Sequence, residues 1–241
     1  MADLPVELSD GLGDRLSRIL DVEGKIPRAL EALGPVAGRD VLLLDTSDGL
    51  RARQLRELGG RVVVTSGASD MTQLETASAD VLVSLWSSFQ GAAPAEVAEA
   101  ARILRPGGRL LVVHDYGRDD VSHLRGDRPE YGPWSKRNGP FLKNGFRVRV
   151  VHCFWTFESM DDCTDFLAAA FDEPGRAVAA RLKRPRLSYN VAVYHRTFGE
   201  AAAPAGGAPG RRGATGAGHG ELSADGHGKT ARSAASPVAA E

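Results

Sequence analysis

Residues 101–113 read ARILRPGGRLLVV, and they decide the fold class. The stretch begins as the end of a helix that opens at Pro94, since PAEVAEAARIL carries proline where a helix tolerates it and apolar residues at helical spacing after it. Arg105-Pro106-Gly107-Gly108 then stops the helix in a tight turn. RLLVVHDYG from Arg109 then reads as a strand, its LLVV run without alternation being the pattern of a strand covered on both faces of a parallel sheet.

The same grammar repeats upstream. VLLLD from Val41, RVVVTSG from Arg61 and ADVLVSLWSSF from Ala79 read as strands rich in apolar residues. Between the first two lies LRARQLRELGG, with Leu50, Leu55 and Leu58 at helical spacing and Gly59-Gly60 as the stop. Strands alternating with helices imply an α/β fold: a doubly wound, mostly parallel, Rossmann-like sheet with right-handed crossovers. A single N-terminal helix is predicted over residues 8–33, ending at Gly34-Pro35.

Downstream the pattern changes. GFRVRVVHCFWTF from Gly145 alternates and reads as a long strand. Two short helical stretches follow between Met160 and Leu182, and SYNVAVYHR from Ser188 is a last strand. Two strands separated by a helical insertion pair most readily as an antiparallel edge on the parallel sheet. The sheet thus spans residues 41–197 of one domain, residues 1–199. Residues 200–241 are mostly Ala, Gly, Ser and Pro without an aromatic residue. That composition cannot offset chain entropy by burial, so a disordered tail is expected.

Composition narrows the partners. Thirty Lys and Arg against 31 Asp and Glu give a net charge of −1, which leaves no overall electrostatic case for nucleic acid. No apolar run reaches the roughly 20 residues that span a bilayer, and the N-terminus lacks the basic-then-apolar order of a signal peptide. A cytoplasmic protein is expected. Two cysteines, Cys153 and Cys163, are too few for a disulfide framework, and His152 and Cys153 point to opposite faces of one strand, so they do not share a metal.

Open sheets of this type bind ligands at the carboxyl ends of the strands, where the strand order reverses. That places Asp45–Gly49, Thr65–Asp70, Ser84–Phe89 and His114–Gly117 around one pocket. Asp45 has two readings: a ligand anchor, or a turn and helix-cap residue in DTSDG. The end of the fourth strand carries His114, Asp115 and Tyr116, which can serve as bases or orient a nucleophile, or simply face solvent. Residues 116–145 form a long polar connection with Tyr116, Tyr131 and Trp134 among charges, expected to be functional or mobile.

In their order, VLLLDTSDG, SADVLVSLWSSF, ARILRPGGRLLVV, FLKNGFRVRVVHCFWTF and SYNVAVYHR resemble the landmarks of class I S-adenosylmethionine-dependent methyltransferases, over about residues 26–197. The resemblance implies S-adenosylmethionine as cofactor, held by Asp45, Ser47, Gly49, Ser66, Asp70 and Ser84. It also implies a small-molecule or protein acceptor beneath residues 116–145, near Asp115, Tyr116, Tyr131 and Trp134. Three departures stand out. The family's acid-x-Gly-x-Gly-x-Gly turn becomes Asp45-x-Ser47-x-Gly49-x-Arg51, with Arg51 expected to point outward. The acid that usually ends the second strand, where it holds the ribose, is Ser66, with Asp70 four residues on. Between Val62 and Asp80 there is room for one strand and a loop, so the sheet has one strand fewer, lost from its outer edge. An enzyme is one expectation. The other is a non-catalytic methyltransferase-like module that binds a partner.

Overall fold

The computed structural model describes residues 4–44, 49–65, 68–126 and 131–199. Asp45–Asp48, Ser66 and residues 200–241, with the expected tail, lie outside the described residues.

Six strands form one sheet: β1 (Asp40–Leu44), β2 (Arg61–Thr65), β3 (Ala79–Leu85), β4 (Leu104–Asp115), β5 (Arg147–Thr156) and β6 (Arg186–Thr197), in the order β2-β1-β3-β4-β6-β5. The first four run parallel; β6 is antiparallel to both β4 and β5. The expected α/β sheet with its antiparallel region is observed, and β2 lies at the outer edge as the shortened Val62–Asp80 segment implies. That segment holds β2, one turn of helix α4 (Ala68–Met71) and β3.

The strands divide the interior into two cores. Val41, Leu43, Val83, Leu111, Val113, Trp155 and Tyr189 face one side. There they meet α1 (Asp10–Ile19), α2 (Lys25–Leu33), α3 (Leu50–Glu57), α6 (Asp120–Leu124) and α8 (Met160–Ala179). Leu42, Leu44, Leu82, Leu110 and Val112 face the other side, with α5 (Pro94–Ile103), Phe89, Phe141 and Tyr194. Phe141 and Tyr194 stack with ring centroids 3.8 Å apart and planes within 7°. Alternation along each strand sorts the residues between the two layers.

Three local features differ from the sequence expectation. The helix predicted over 8–33 is two helices. Asp21 and Gly24 take left-handed backbone (φ 57° and 64°), and the Asp21 carboxylate accepts the Lys25 and Ile26 amides at 2.9 and 2.7 Å, capping α2. The periodicity continues through Leu20, but Leu20 turns aside to make an antiparallel bridge with Trp155. Second, the RPGG turn is an outward loop within β4: Ala79 pairs with Leu104 and Val81 with Arg109, with Gly107 at φ 82° between them. Third, the connection 116–145 is not bare loop. It carries α6, α7 (Tyr131–Trp134) and a 3-10 turn at Leu142–Asn144. The two helical stretches expected after Met160 are the halves of α8, broken at Asp172 (φ 50°, ψ −128°) two residues before Pro174.

Candidate functional site

The strand order reverses at β1, whose neighbours β2 and β3 lead in opposite directions across the sheet. The crevice beyond the carboxyl ends of β1 and β3 is therefore the topological switch point. Leu44 ends β1 at this crevice, and Gly49, which follows Asp45–Asp48 in the sequence, is the N-cap of α3 with extended backbone.

Residues 21–112 match the family model of a methyltransferase domain. The sheet order and this match bear out the likeness to class I S-adenosylmethionine-dependent methyltransferases read from the sequence. The match runs from the turn before α2 to the middle of β4 and stops short of Asp115 and the 116–145 connection. No curated protein matches the chain. Among solved structures, a protein of Anaeromyxobacter dehalogenans described as a type II methyltransferase aligns at 16% identity over 71% of this chain and 94% of its own, with a TM-score of 0.46. A SAM-dependent methyltransferase of Aquifex aeolicus aligns at 16% identity over 79% of this chain and 98% of its own, with a TM-score of 0.44. Neither likeness bears on cofactor or acceptor.

The predicted site residues have separate fates. Asp45, Ser47 and Ser66 lie outside the described residues. Gly49 and Asp70 are half-buried, Asp70 on α4. Ser84 is fully buried at the end of β3. Its hydroxyl is 2.7 Å from that of Ser87 and donates to the Phe89 carbonyl at 2.8 Å, so it holds the 84–89 turn together.

Arg51 is the main correction. It does not point outward but is 2% exposed. Its Nη1 donates to Gln54 Oε1 at 2.8 Å, and its guanidinium lies 5.9 Å from the centre of the Trp86 ring. A buried guanidinium thus stands at the sequence position where the family pattern has its third glycine. Trp86, just past β3, has φ 47°, a backbone region costly for a bulky residue. Two contacts hold it: its indole N–H donates to Asp115 Oδ1 at 3.1 Å, and its ring stacks with Tyr189 at 6.4 Å.

Asp115 gathers these residues. Its carboxylate is 7% exposed, accepts the Tyr189 hydroxyl and the Trp86 indole, and pairs with the Arg125 guanidinium, also 7% exposed, from just past α6. Burial, with the Asp115 charge beside it, keeps the Tyr189 hydroxyl protonated far above the usual phenol range. Next along β4, His114 faces the other core. Its ring lies 4.7 Å from Trp134 and 5.9 Å from Phe141, and its Nε2 is 3.2 Å from the Gln90 carbonyl. Burial pushes its pKa down, so the ring is neutral.

The structure therefore brings Arg51, Trp86, Asp115, Arg125 and Tyr189 together, and places Trp134 and half-buried Tyr116 on the opposite face with His114. The Arg118 guanidinium sits 5.8 Å over the Tyr116 ring. Tyr131 begins α7. Sequence reading set Arg51 outward, held Trp86 only within the Ser84–Phe89 stretch, and missed Arg125 and Tyr189. Of the last two only Tyr189 left a signal, because alternation in SYNVAVYHR sets it on the same face as Val191 and Val193. His152 and Cys153 do face opposite ways: Cys153 is buried, while exposed His152 Nδ1 lies 2.7 Å from Asn190 Oδ1.

Among the described residues no helix is long and apolar enough to cross a membrane.

Proposed function

We propose that the protein is a cytoplasmic S-adenosylmethionine-dependent methyltransferase of divergent type. The observation that supports this most is the β2-β1-β3-β4-β6-β5 strand order, whose switch point falls at the carboxyl end of β1, the strand that the sequence Asp45–Gly49 follows. Asp45 and Gly49 would hold the amino-acid end of the cofactor, Ser66 or Asp70 would serve the ribose, and the acceptor, a small molecule or a protein, would enter beneath residues 116–145. Bound there, the cofactor supplies an electrophilic methyl group. The chain's contribution is alignment and exclusion of water, which suffices for transfer to a nucleophile already in place. Asp115, with three donors on its carboxylate, fixes Trp86 and Tyr189 rather than accepting a proton from substrate.

One observation favours a second reading, a module without cofactor that binds a partner protein: buried Arg51 stands at the third-glycine position. Thermal unfolding with S-adenosylmethionine or S-adenosylhomocysteine separates the two. With ligand at a hundred times its dissociation constant, the fold gains about 2.7 kcal/mol, a midpoint rise of about 5–10 °C at this size. Methyltransferase function predicts that rise and its loss in Asp45→Ala. A cooperative transition unmoved by either ligand supports the binding module.

A further inference from the structure

We infer that the free edge of β2 pairs antiparallel with β2 of a second copy of this chain, making one continuous sheet across a two-fold axis at Val63.

The two edges of the sheet are treated differently. The β5 edge is guarded. Arg147, Arg149 and His152 project from it exposed, the Asp21 amide donates to the Phe154 carbonyl at 3.1 Å, and Leu20 bridges Trp155. The β2 edge instead presents Val63, 61% exposed, which with Val22 makes up the exposed large apolar side chains among the described residues. Val63 lies on the sheet face of Leu42. A groove of about 440 Å³ opens there, lined by Leu42, Val63, Leu74 and Ala79 together with Asp40, Arg61 and Ser78.

Backbone phase selects the partner. Arg61 donates its amide to the Arg39 carbonyl at 2.9 Å, and Arg61 pairs with Asp40 in the parallel register. Arg61, Val63 and Thr65 therefore bond inward to β1, while Val62 and Val64 turn their amides and carbonyls outward. On that side the Val62 carbonyl accepts from exposed Arg56 Nη2 at 3.3 Å, a long bond that a strand amide replaces. A second β2 laid antiparallel about Val63 sets Val62 against Val64 twice, forming four backbone hydrogen bonds. The two Val63 side chains then meet as a non-hydrogen-bonded pair, Cα atoms ~4.5 Å apart. That contact covers the exposed valines and walls the outer side of each groove. The charges agree with the dyad: each Arg61 falls opposite Thr65 of the other strand, and the two guanidiniums lie at opposite ends of the ladder.

The full chain tests this directly. Light scattering across concentrations up to ~100 µM, enough to assemble a dimer with a Kd near 10 µM, is expected to give twice the chain mass. Val63→Lys is expected to return the mass to that of one chain with an unchanged circular dichroism spectrum. Val63→Cys probes the geometry, because the paired Cα distance lies within disulfide range. With oxidised glutathione as oxidant, two Sγ thiols lose two protons and two electrons to form one bond between copies. The native cysteines are buried, and Val22→Cys, 63% exposed at that position, is the comparator. Cross-linking at least tenfold faster at position 63 than at 22 supports the pairing. A single-chain mass throughout, a dimer that survives Val63→Lys, or equal cross-linking at the two positions overturns it.

Discussion

On the face of the sheet that carries α5, the end of β4 buries His114 against Trp134 and Phe141, a neutral ring in an aromatic box. On the opposite face its neighbour Asp115 is equally buried, yet it is an ion surrounded by Arg125, Tyr189 and Trp86. A one-residue step along a strand changes the face, and the two faces satisfy a buried polar group in different ways. One neutralises the group by keeping the proton off. The other keeps the charge and supplies donors to it. The first device is insensitive to losing a single polar contact, whereas in the second each member depends on the others.

The strongest way to break that contrast is Asp115→Ala, which takes the carboxylate from beside the buried Arg125 guanidinium. We expect a loss of about 3–5 kcal/mol in urea unfolding. Adding Arg125→Met to it is expected to recover part of that loss, since an apolar replacement of both partners costs less than breaking the pair. His114→Ala removes ring contacts but leaves no buried charge, and we expect about 2–3 kcal/mol by the same measurement. Tyr189→Phe keeps the ring stacked on Trp86 and deletes only the hydroxyl donated to Asp115, an expected cost of about 1.5 kcal/mol.

The smallest effect is in the pH profile. His114 is neutral in the fold because burial lowers its pKa, while in the unfolded chain it takes up a proton below about pH 6.5. Its contribution is complete above that pH and is lost as the pH falls toward the lower folded value. His114→Phe should therefore flatten the stability profile on the acid side of 6.5. A residual slope of the same sign is expected from His195, whose pKa is lowered by burial and by Arg147 and Arg109. An unchanged profile in His114→Phe would remove the neutral-ring account of that face.

The parallel strands were legible because each is covered on both faces and so reads as an uninterrupted apolar run. The shortened outer edge was legible from counting residues between Val62 and Asp80. The break between α1 and α2 was not, because Leu20 keeps the helical period while serving as a bridge partner to Trp155. The inward turn of Arg51 was hidden for a related reason. Polarity argues for solvent, and only the fold brings Trp86 beneath the guanidinium. Asp115 was read as a site residue on position alone. Its partners come from residues 86, 125 and 189, a convergence without local spacing. Asp45 and Ser47, on which the cofactor reading depends most, lie outside the described residues.

The placement of β6 has a consequence for synthesis. A chain emerges amino end first, so β5 is complete at residue 156 while the strand that must lie between it and β4 begins only at residue 186. Until β6 arrives, β5 has no strand beside it beyond the Leu20 bridge at Trp155, and the inner edge of β4 stays open. The carboxyl-terminal strand is thus a closing wedge, and nascent chains stalled before residue 197 carry two unmatched strand edges, the condition that recruits chaperones and invites mispairing.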